Sequence, residues 1–482
     1  MYIPTIGLEI HSILKTQTKM FCPCPNIFEE SSPNKNICPI CLGHPGVLPV
    51  INKKAVEAVI KLGMALGGEI AEKSHFDRKS YFYPDLPKGY QISQYEHPIV
   101  QGGMLNGVRI KRIHLEEDAG RLLHELPGSV KKSESATFVD FNRAGTPLLE
   151  LVTEPDLKTA EEAVQFAKDL QLILRYLEIS DADMERGQMR VEVNISVRKD
   201  SNDNLGTKIE VKNINSFKAV FGSIVYELKR QEKVLNDGKK LVQETRGWND
   251  TGQITESQRS KESAHDYRYF PEPDLPITNF AKWDLERIRN EIPELPEAKY
   301  HRLMQEFCLS REQAKNLVED KKGAEFFEEA ASEFKTKIPK ADYQLLLNYY
   351  ANDLKGLMRN KKVNFDTLRK SISPEHFAHF VSFVAGGSIS SVIAKIVLPK
   401  MFETGEDPEM IIKQESIKVI DGENELEEIV IEIINQNPKP VEDYKKGNQN
   451  SIQFLIGKAM AETRGRADPE RLREILVKKL VS

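Results

Sequence analysis

Apolar and polar residues alternate with a period of two through Ile6-Gly7-Leu8-Glu9-Ile10-His11: Ile6, Leu8 and Ile10 fall on one side, Gly7, Glu9 and His11 on the other. Strand side chains project alternately to opposite faces, so the segment predicts a strand with a buried apolar face and a polar face carrying Glu9 and His11. The pattern repeats from Met189 to Arg198, where Val191, Val193, Ile195 and Val197 oppose Arg190, Glu192, Asn194, Ser196 and Arg198. It recurs in Lys208-Ile209-Glu210-Val211-Lys212, which sets Glu210 opposite Ile209 and Val211. Strands are predicted over 4–11, 108–117, 136–142, 189–198 and 206–212, and helices over 53–67, 159–176 and 215–236. In the last helix Val220, Ile224, Leu228 and Val234 recur near the helical spacing. The proline-rich stretch Tyr269 to Pro276 cannot serve a central strand and is expected to wrap an edge.

Past Ile292-Pro293-Glu294-Leu295-Pro296 the period becomes helical to about residue 406. Ser310-Arg311-Glu312-Gln313 reads as a capping box, Ser373-Pro374-Glu375 as a helix start, and Gly386-Gly387-Ser388 as a break before a helix through Lys395. Cys308 is expected to be packed within a helical stretch. From about 409 the chain is again helical, acidic at Glu423 to Glu432 and then basic at Lys445, Lys446, Lys458, Arg464, Arg466, Arg471, Arg473, Lys478 and Lys479. Asp468-Pro469 marks the start of the last helix. The fold class is therefore α+β: a domain built on antiparallel sheet over 1–292, an all-helical domain over 293–408 and a helical tail over 409–482.

A chain of 482 residues exceeds what one core organises, in keeping with several domains. A net charge of −5 excludes a generally basic protein, so any nucleic-acid surface is local. The sequence shows neither a bilayer-length apolar run nor a secretory leader, and a cytoplasmic location is expected. Cysteines there are reduced, and clustered ones point to metal.

Two metal centres are legible. Glu9 and His11 share a strand face; Ile113-His114-Leu115-Glu116-Glu117-Asp118 and Glu210 supply further carboxylates on strands. If the strands meet in one sheet, the oxygens suit Mg²⁺ and a phosphate-bearing substrate. The plain alternative is a set of solvated strand faces. Cys22-Pro23-Cys24 and Cys38-Pro39-Ile40-Cys41 form a Cys-x-Cys…Cys-x-x-Cys set in a proline- and asparagine-rich loop. Four thiolates at that spacing suit a closed, structural Zn²⁺ site. The chain has neither a Walker A loop nor a Gly-x-Gly-x-x-Gly fingerprint. Arg78, Lys79 and Lys88, interleaved with Tyr81, Tyr83 and Tyr90, offer phosphate and base contacts, or else form an ordinary surface loop.

These segments resemble one family. The resemblance is carried by Gly7-Leu8-Glu9-Ile10-His11, Cys38-Pro39-Ile40-Cys41-Leu42-Gly43, Phe76-Asp77-Arg78-Lys79, Tyr81-Phe82-Tyr83-Pro84-Asp85 and His114-Leu115-Glu116-Glu117-Asp118-Ala119-Gly120. It continues in Asn142-Arg143-Ala144-Gly145-Thr146-Pro147-Leu148, Glu210-Val211-Lys212-Asn213, Gln243-Glu244-Thr245-Arg246 and Asp266-Tyr267-Arg268-Tyr269-Phe270-Pro271. The chain is similar to the B subunit of the tRNA-dependent amidotransferase (GatB) over nearly its whole length. The resemblance implies a cradle-shaped catalytic domain, a helical domain and a YqeY-like tail. It implies ATP-dependent phosphorylation of the side-chain carboxylate of misacylated Glu-tRNA(Gln) or Asp-tRNA(Asn), then amidation. Ammonia would come from an amidase (A) subunit, with a small C subunit completing a heterotrimer. The implied Mg²⁺ ligands are Glu9, His11, Glu117 and Glu210, the Zn²⁺ ligands Cys22, Cys24, Cys38 and Cys41, and the ATP contacts Arg78, Lys79 and the sheet near Glu192. Two positions depart from the family: Glu192 stands where an Asp is usual, and Ser12 where an apolar residue is usual. The tail is expected to touch the outer elbow of tRNA. Two other readings are a non-catalytic zinc-stabilised RNA-binding protein, disfavoured by the acidic strands, and a lone metal-dependent phosphohydrolase, which leaves the tail unexplained.

Overall fold

A computed structural model describes residues 2–27, 32–123, 136–199, 204–260, 267–338, 342–414, 423–446, 448–463 and 467–481. It is α+β, with the strands in Met1–Pro296 and a helical second unit, Glu297–Ser482. The longer strands of the main sheet are β1 (Ile3–Ile13), β2 (Val108–Glu117), β3 (Pro147–Thr153), β4 (Met189–Arg198), β5 (Ile209–Ile214), β6 (Glu244–Asn249) and β7 (Ile254–Ser260). They lie in the order β7-β6-β5-β4-β1-β3-β2, extended past β2 by the short strands Val100–Gln101 and Glu69–Ile70. All of these pairings are antiparallel except β5 with β6.

Helices α1 (Lys53–Ala65), α2 (Ala160–Tyr176) and α3 (Phe217–Asn236) bury their apolar stripes with the sheet's apolar face. Ile6, Leu8 and Ile10 of β1, Ile113 and Leu115 of β2, Leu149 and Leu151 of β3, and Val191, Val193 and Ile195 of β4 join Val59, Phe166, Leu170, Val220 and Ile224 in one core. Each helix starts on a side-chain cap: Asn52 accepts from the Lys54 and Ala55 amides, Ser216 from Ala219, and Thr159 with Glu162 forms a reciprocal box. Packing the helices on one face leaves the other face, with Glu9 and His11, for the site.

Strands at 4–11, 108–117 and 189–198 and the three expected helices of the first unit form within a few residues of the expected bounds. The expected strand 136–142 shortens to Phe138–Asp140, and 206–212 shifts to Ile209–Ile214. Three strands, β3, β6 and β7, carry no readable alternation. The proline-rich segment forms the edge pairing Phe270–Pro271 with Asp77–Arg78. In the second unit the Ser310 capping box and the Ser373 cap are both formed, and the helix after Gly387 runs Ser391–Thr404. Cys308 is not packed: it is exposed, in left-handed backbone (φ 52°) just past the helix Pro296–Glu306. Phe326, Phe327, Phe334, Phe377 and Phe380 are fully buried there, and the tail has its own core of Leu426, Val430, Leu455, Leu472 and Leu476.

Candidate active site and metal centres

The register of the sheet brings polar residues from distant stretches into rows. His11 on β1 is paired with Glu150 on β3 and with Arg190 on β4, and Glu150 is paired in turn with His114 on β2. Neighbouring strands lie about 4.8 Å apart, so these side chains meet directly. Further along the same face, Glu9 is paired with Glu192, and Asn194 with Glu210. The result is a cavity of about 420 Å³ over the polar face, lined by Glu9, His11, Glu116, Glu150, Glu192 and Glu210, with Lys79, Arg190 and Lys212 among its cations.

The carboxylates and His11 fall into two trios. In the first, His11 Nε2 lies 3.4 Å from Glu116 Oε1 and 3.3 Å from Glu150 Oε2, while His114 Nε2 lies 3.2 Å from the same Glu150 oxygen. Burial opposes charge on His11, but Glu150 and Glu116 outweigh it and lift its pKa to about 10. Burial likewise opposes ionisation of Glu150, yet the two imidazoles hold it well below the usual carboxylate range. Lys79, its own charge opposed by burial but held by Glu116, Tyr269 and Glu150, keeps Glu116 low together with His11.

In the second trio, Glu9, Glu192 and Glu210 each bring an oxygen within 4.8 Å of the others. Asn194 Nδ2 donates to Glu9 Oε1 at 2.8 Å and Thr245 Oγ1 to Glu210 Oε2 at 2.8 Å. Burial, then the charges of Glu150, Glu192 and Glu210, push the Glu9 carboxyl up. Three crowded carboxylates resist ionising together unless a cation joins them. Lys212 supplies part of that charge, 2.9 Å from Glu192 and 3.9 Å from Glu210. The donor set fits a hard ion: adjacent ligands of octahedral Mg²⁺ stand about 2.9 Å apart. Glu116 Oε2 and Asn194 Oδ1 are buried oxygens without a hydrogen-bond partner among the described residues.

Not every expected residue reaches this basin. Glu117 is on the core-side parity of β2 with Ile113 and Leu115; its carboxylate binds Lys88 and accepts from the Ile92 amide at 3.0 Å. Of the four residues expected to grip one ion, Glu9, His11 and Glu210 line the cavity and Glu117 does not; Glu116, the residue before it, occupies the polar face beside His11. Arg78 also turns away. Its strand, Asp77–Ser80, sets Lys79 toward the cavity and Arg78 into a two-pronged pair with Glu272 (2.7 Å each) over the Tyr90 ring. Asp118, held low against burial by Arg143 and Arg190, closes one wall. Glu116 and Asp118 were read from sequence only as members of an acidic cluster, and Glu150 and Lys212 were given no role as ligands or site residues. Asp266, Arg464 and Arg466 lie outside the described residues.

The thiols of Cys22, Cys24, Cys38 and Cys41 all lie within 4.8 Å of one another. Ligands of tetrahedral zinc with bonds of about 2.3 Å stand about 3.8 Å apart, so the quartet fits. The hydrogen bond between them draws the Cys41 thiol down to about 5 and pushes Cys22 up, while burial pushes Cys24 up to about 11. Lys19, 1% exposed, reaches Cys41 Sγ at 3.8 Å and the Asn36 carbonyl at 2.8 Å. The loop docks on the turn at 142–145: the Met20 amide donates to the Gly145 carbonyl and the Asn36 amide to Asn142 Oδ1. Gly145 has φ 83°, and a Cβ there would stand 3.4 Å from the Cys41 Cβ.

Fold and site together define a class: an antiparallel-sheet protein with a basin lined by charged side chains on one face, a quartet of cysteine thiols beside it, and a helical C-terminal region. Residues 4–286 match the GatB/GatE catalytic domain and residues 325–480 the GatB domain. Among the relatives, the B subunit of aspartyl/glutamyl-tRNA(Asn/Gln) amidotransferase from Thermoanaerobacter pseudethanolicus is 46% identical over 488 residues, covering 99% of each chain. The B subunits of the same enzyme from Persephonella marina and Rippkaea orientalis are 44% and 42% identical, covering 98% or more of each chain. The chain belongs to the GatB family. Among the described residues no helix is long and apolar enough to cross a membrane.

Proposed function

We propose that this chain is the phosphorylating and amidating subunit of a glutamine-dependent amidotransferase acting on misacylated Glu-tRNA(Gln) or Asp-tRNA(Asn) in the cytoplasm. The observation that carries the reading is the gathering in one cavity of the His11, Glu116 and Glu150 trio, the Glu9, Glu192 and Glu210 trio, and cations that include Lys79, Arg190 and Lys212. The aminoacyl side-chain carboxylate is a poor acceptor for ammonia because oxide would have to leave. Its oxygen attacks the γ-phosphorus of ATP, the bond to the β-phosphate oxygen breaks and ADP departs. Ammonia then attacks the acyl carbon, and phosphate leaves in place of oxide. Lys79 and Arg190 hold and orient phosphate oxygens, and Lys212 and Asn194 fix the positions of the Glu9, Glu192 and Glu210 carboxylates. Mg²⁺ held by either trio would offset phosphate charge. A zinc ion in the Cys22, Cys24, Cys38 and Cys41 quartet would order the loop that supports the 142–145 turn.

The chain carries no residue set that we assign to releasing ammonia, so an amidase (A) subunit supplies it and a small C subunit completes the assembly. We retain the domain reading of a catalytic region to 292, a helical region over 293–408 and a tail from 409 that touches the outer elbow of tRNA through backbone charge. Several tail cations already have partners, Lys479 with Glu427 and Lys446 with Glu442, so shape carries more of that contact than any one charge. The test is an aminoacyl-tRNA conversion assay with both partner subunits, glutamine and ATP. Formation of Gln-tRNA(Gln) or Asn-tRNA(Asn), with ATP consumption stimulated by the misacylated tRNA, is expected. Binding of tRNA without either product or ATP consumption would leave a non-catalytic RNA-binding role and end this reading.

A further inference from the structure

A further group of imidazole and carboxylate side chains lies in the helical unit, independent of the function proposed above. His376 and His379 stand three apart on the helix Pro374–Ala385 and so share a face. Asp407 precedes the short helix Pro408–Gln414, which packs against the first. Asp407 divides its carboxylate. Oδ1 accepts from the Glu409 amide at 2.8 Å, whereas Oδ2 lies 3.0 Å from His379 Nδ1 and 3.9 Å from His376 Nε2. Glu409 brings its own oxygen to the same place: His379, Asp407 and Glu409 each offer a ligand atom, all within 4.8 Å of one another.

We propose that His379, Asp407 and Glu409, with His376 as the fourth donor, form a binding site for a Zn²⁺-like divalent transition metal that staples these two helices together. Tetrahedral zinc with nitrogen and oxygen ligands at about 2.0–2.1 Å has ligand-to-ligand separations of about 3.3 Å. The two imidazole-to-Asp407 distances bracket that value. Hydrogen bonding accounts for His379 alone, because 3.9 Å is beyond a hydrogen bond; two imidazoles converging on one carboxylate oxygen are better satisfied by a shared cation. Imidazole nitrogen with carboxylate oxygen is a borderline donor set, which selects zinc-like ions over Mg²⁺. One group competes. Lys413 pairs with Glu409 at 2.6 Å, but the two side chains are 67% and 48% exposed, and such a pair is weak enough to yield.

The experiment uses the full chain, stripped by chelator and then equilibrated with Zn²⁺ in the presence of excess Mg²⁺, with bound zinc counted by metal analysis. The cysteine quartet and the sheet basin contribute equally to every variant. The unaltered chain is expected to hold one equivalent more than His379→Gln. Glu409→Gln, a change at the surface that leaves the core untouched, is expected to weaken that equivalent by more than about 10-fold, the loss produced even by removing an outer-shell partner. Lys413→Gln frees Glu409 and is expected to tighten binding, an effect that a purely structural ion pair would not produce. Equal zinc content and unchanged affinity in Glu409→Gln and Lys413→Gln would overturn the proposal, whether or not His379→Gln folds.

Discussion

Glu116 and Glu117 are consecutive, chemically identical and on opposite faces of one strand, so a matched pair of substitutions separates the basin from its support. Glu116→Gln removes a carboxylate 3.4 Å from His11 Nε2 in a cavity where Lys79 and His11 keep it ionised. Removing one preorganised charge-stabilising group from such a site costs about 10²–10³-fold in turnover, or about 2.7–4 kcal/mol of transition-state stabilisation. Glu117→Gln keeps an acceptor for the Ile92 amide but leaves Lys88, whose side chain is 10% exposed, without its counter-charge. Breaking a buried pair from one side costs about 3–5 kcal/mol of stability. Glu116→Gln also loses a buried contact and is expected to be less stable. The separation therefore lies in turnover per folded molecule. With partner subunits, glutamine, ATP and misacylated tRNA, Glu116→Gln should lose at least about 100-fold in kcat, whereas Glu117→Gln should stay within about tenfold of the parent once the folded fraction is set by urea titration. A Glu117→Gln protein that is fully folded and as inactive as Glu116→Gln would refute the assignment of the basin to the His11, Glu116 and Glu150 face.

Two further outcomes test the supports of the site. Cys41→Ser removes the thiol that Cys38 and Lys19 engage; bound zinc is expected to fall by about one equivalent with faster proteolysis within residues 22–41, and undiminished zinc would rule out the quartet as its ligand set. Glu57 ties α1 to the helix Leu285–Asn290, with Lys54 at 2.7 Å and Arg287 at 2.6 Å. Burial works against its ionisation, but Lys54 and Arg287 prevail and hold its carboxyl below the ordinary 4.5. A depressed carboxyl stabilises the fold above its unfolded pKa and loses that contribution as pH falls through the folded value. Glu57→Gln should therefore be about 0.5–1 kcal/mol less stable than the parent in urea at pH 7. The two curves should converge on acidification below the usual carboxylate range, and a gap that widens toward acid would show the sign to be wrong.

What could be read from the residues alone was what is local in sequence. The alternation in β1 and β4 placed Glu9, His11 and Glu192 correctly on a polar face because each strand has one side against helices and one against the cavity. The clustering of the four cysteines was legible because they lie close together in sequence. Glu150 was not, although it stands at the centre of the first trio. Its strand reads Pro147-Leu148-Leu149-Glu150-Leu151-Val152-Thr153, apolar on both sides of Glu150, because β3 lies between β1 and β2 with both faces covered. A strand buried on both faces loses the period-two signal, and with it any sign that one of its residues is polar for a reason. Glu116 is a different case. Ile113 and Leu115 already fix the parity that sends Glu116 to the polar face, whereas the residue that the family resemblance named, Glu117, has the opposite parity. Arg78 and Lys79 could not be separated that way, since a four-residue strand without a flanking apolar pattern has no parity to read; only its pairing with Phe270–Pro271 and Tyr90–Ser93 decides which cation enters the cavity. The site depends on register between strands that are distant in the chain: β1 is flanked by β3 and β4, and a slip of one residue would turn Glu9 and His11 into the core. The chemistry of this chain thus rests on pairings that leave no mark in any single segment, and the matched Glu116 and Glu117 substitutions test those pairings through function.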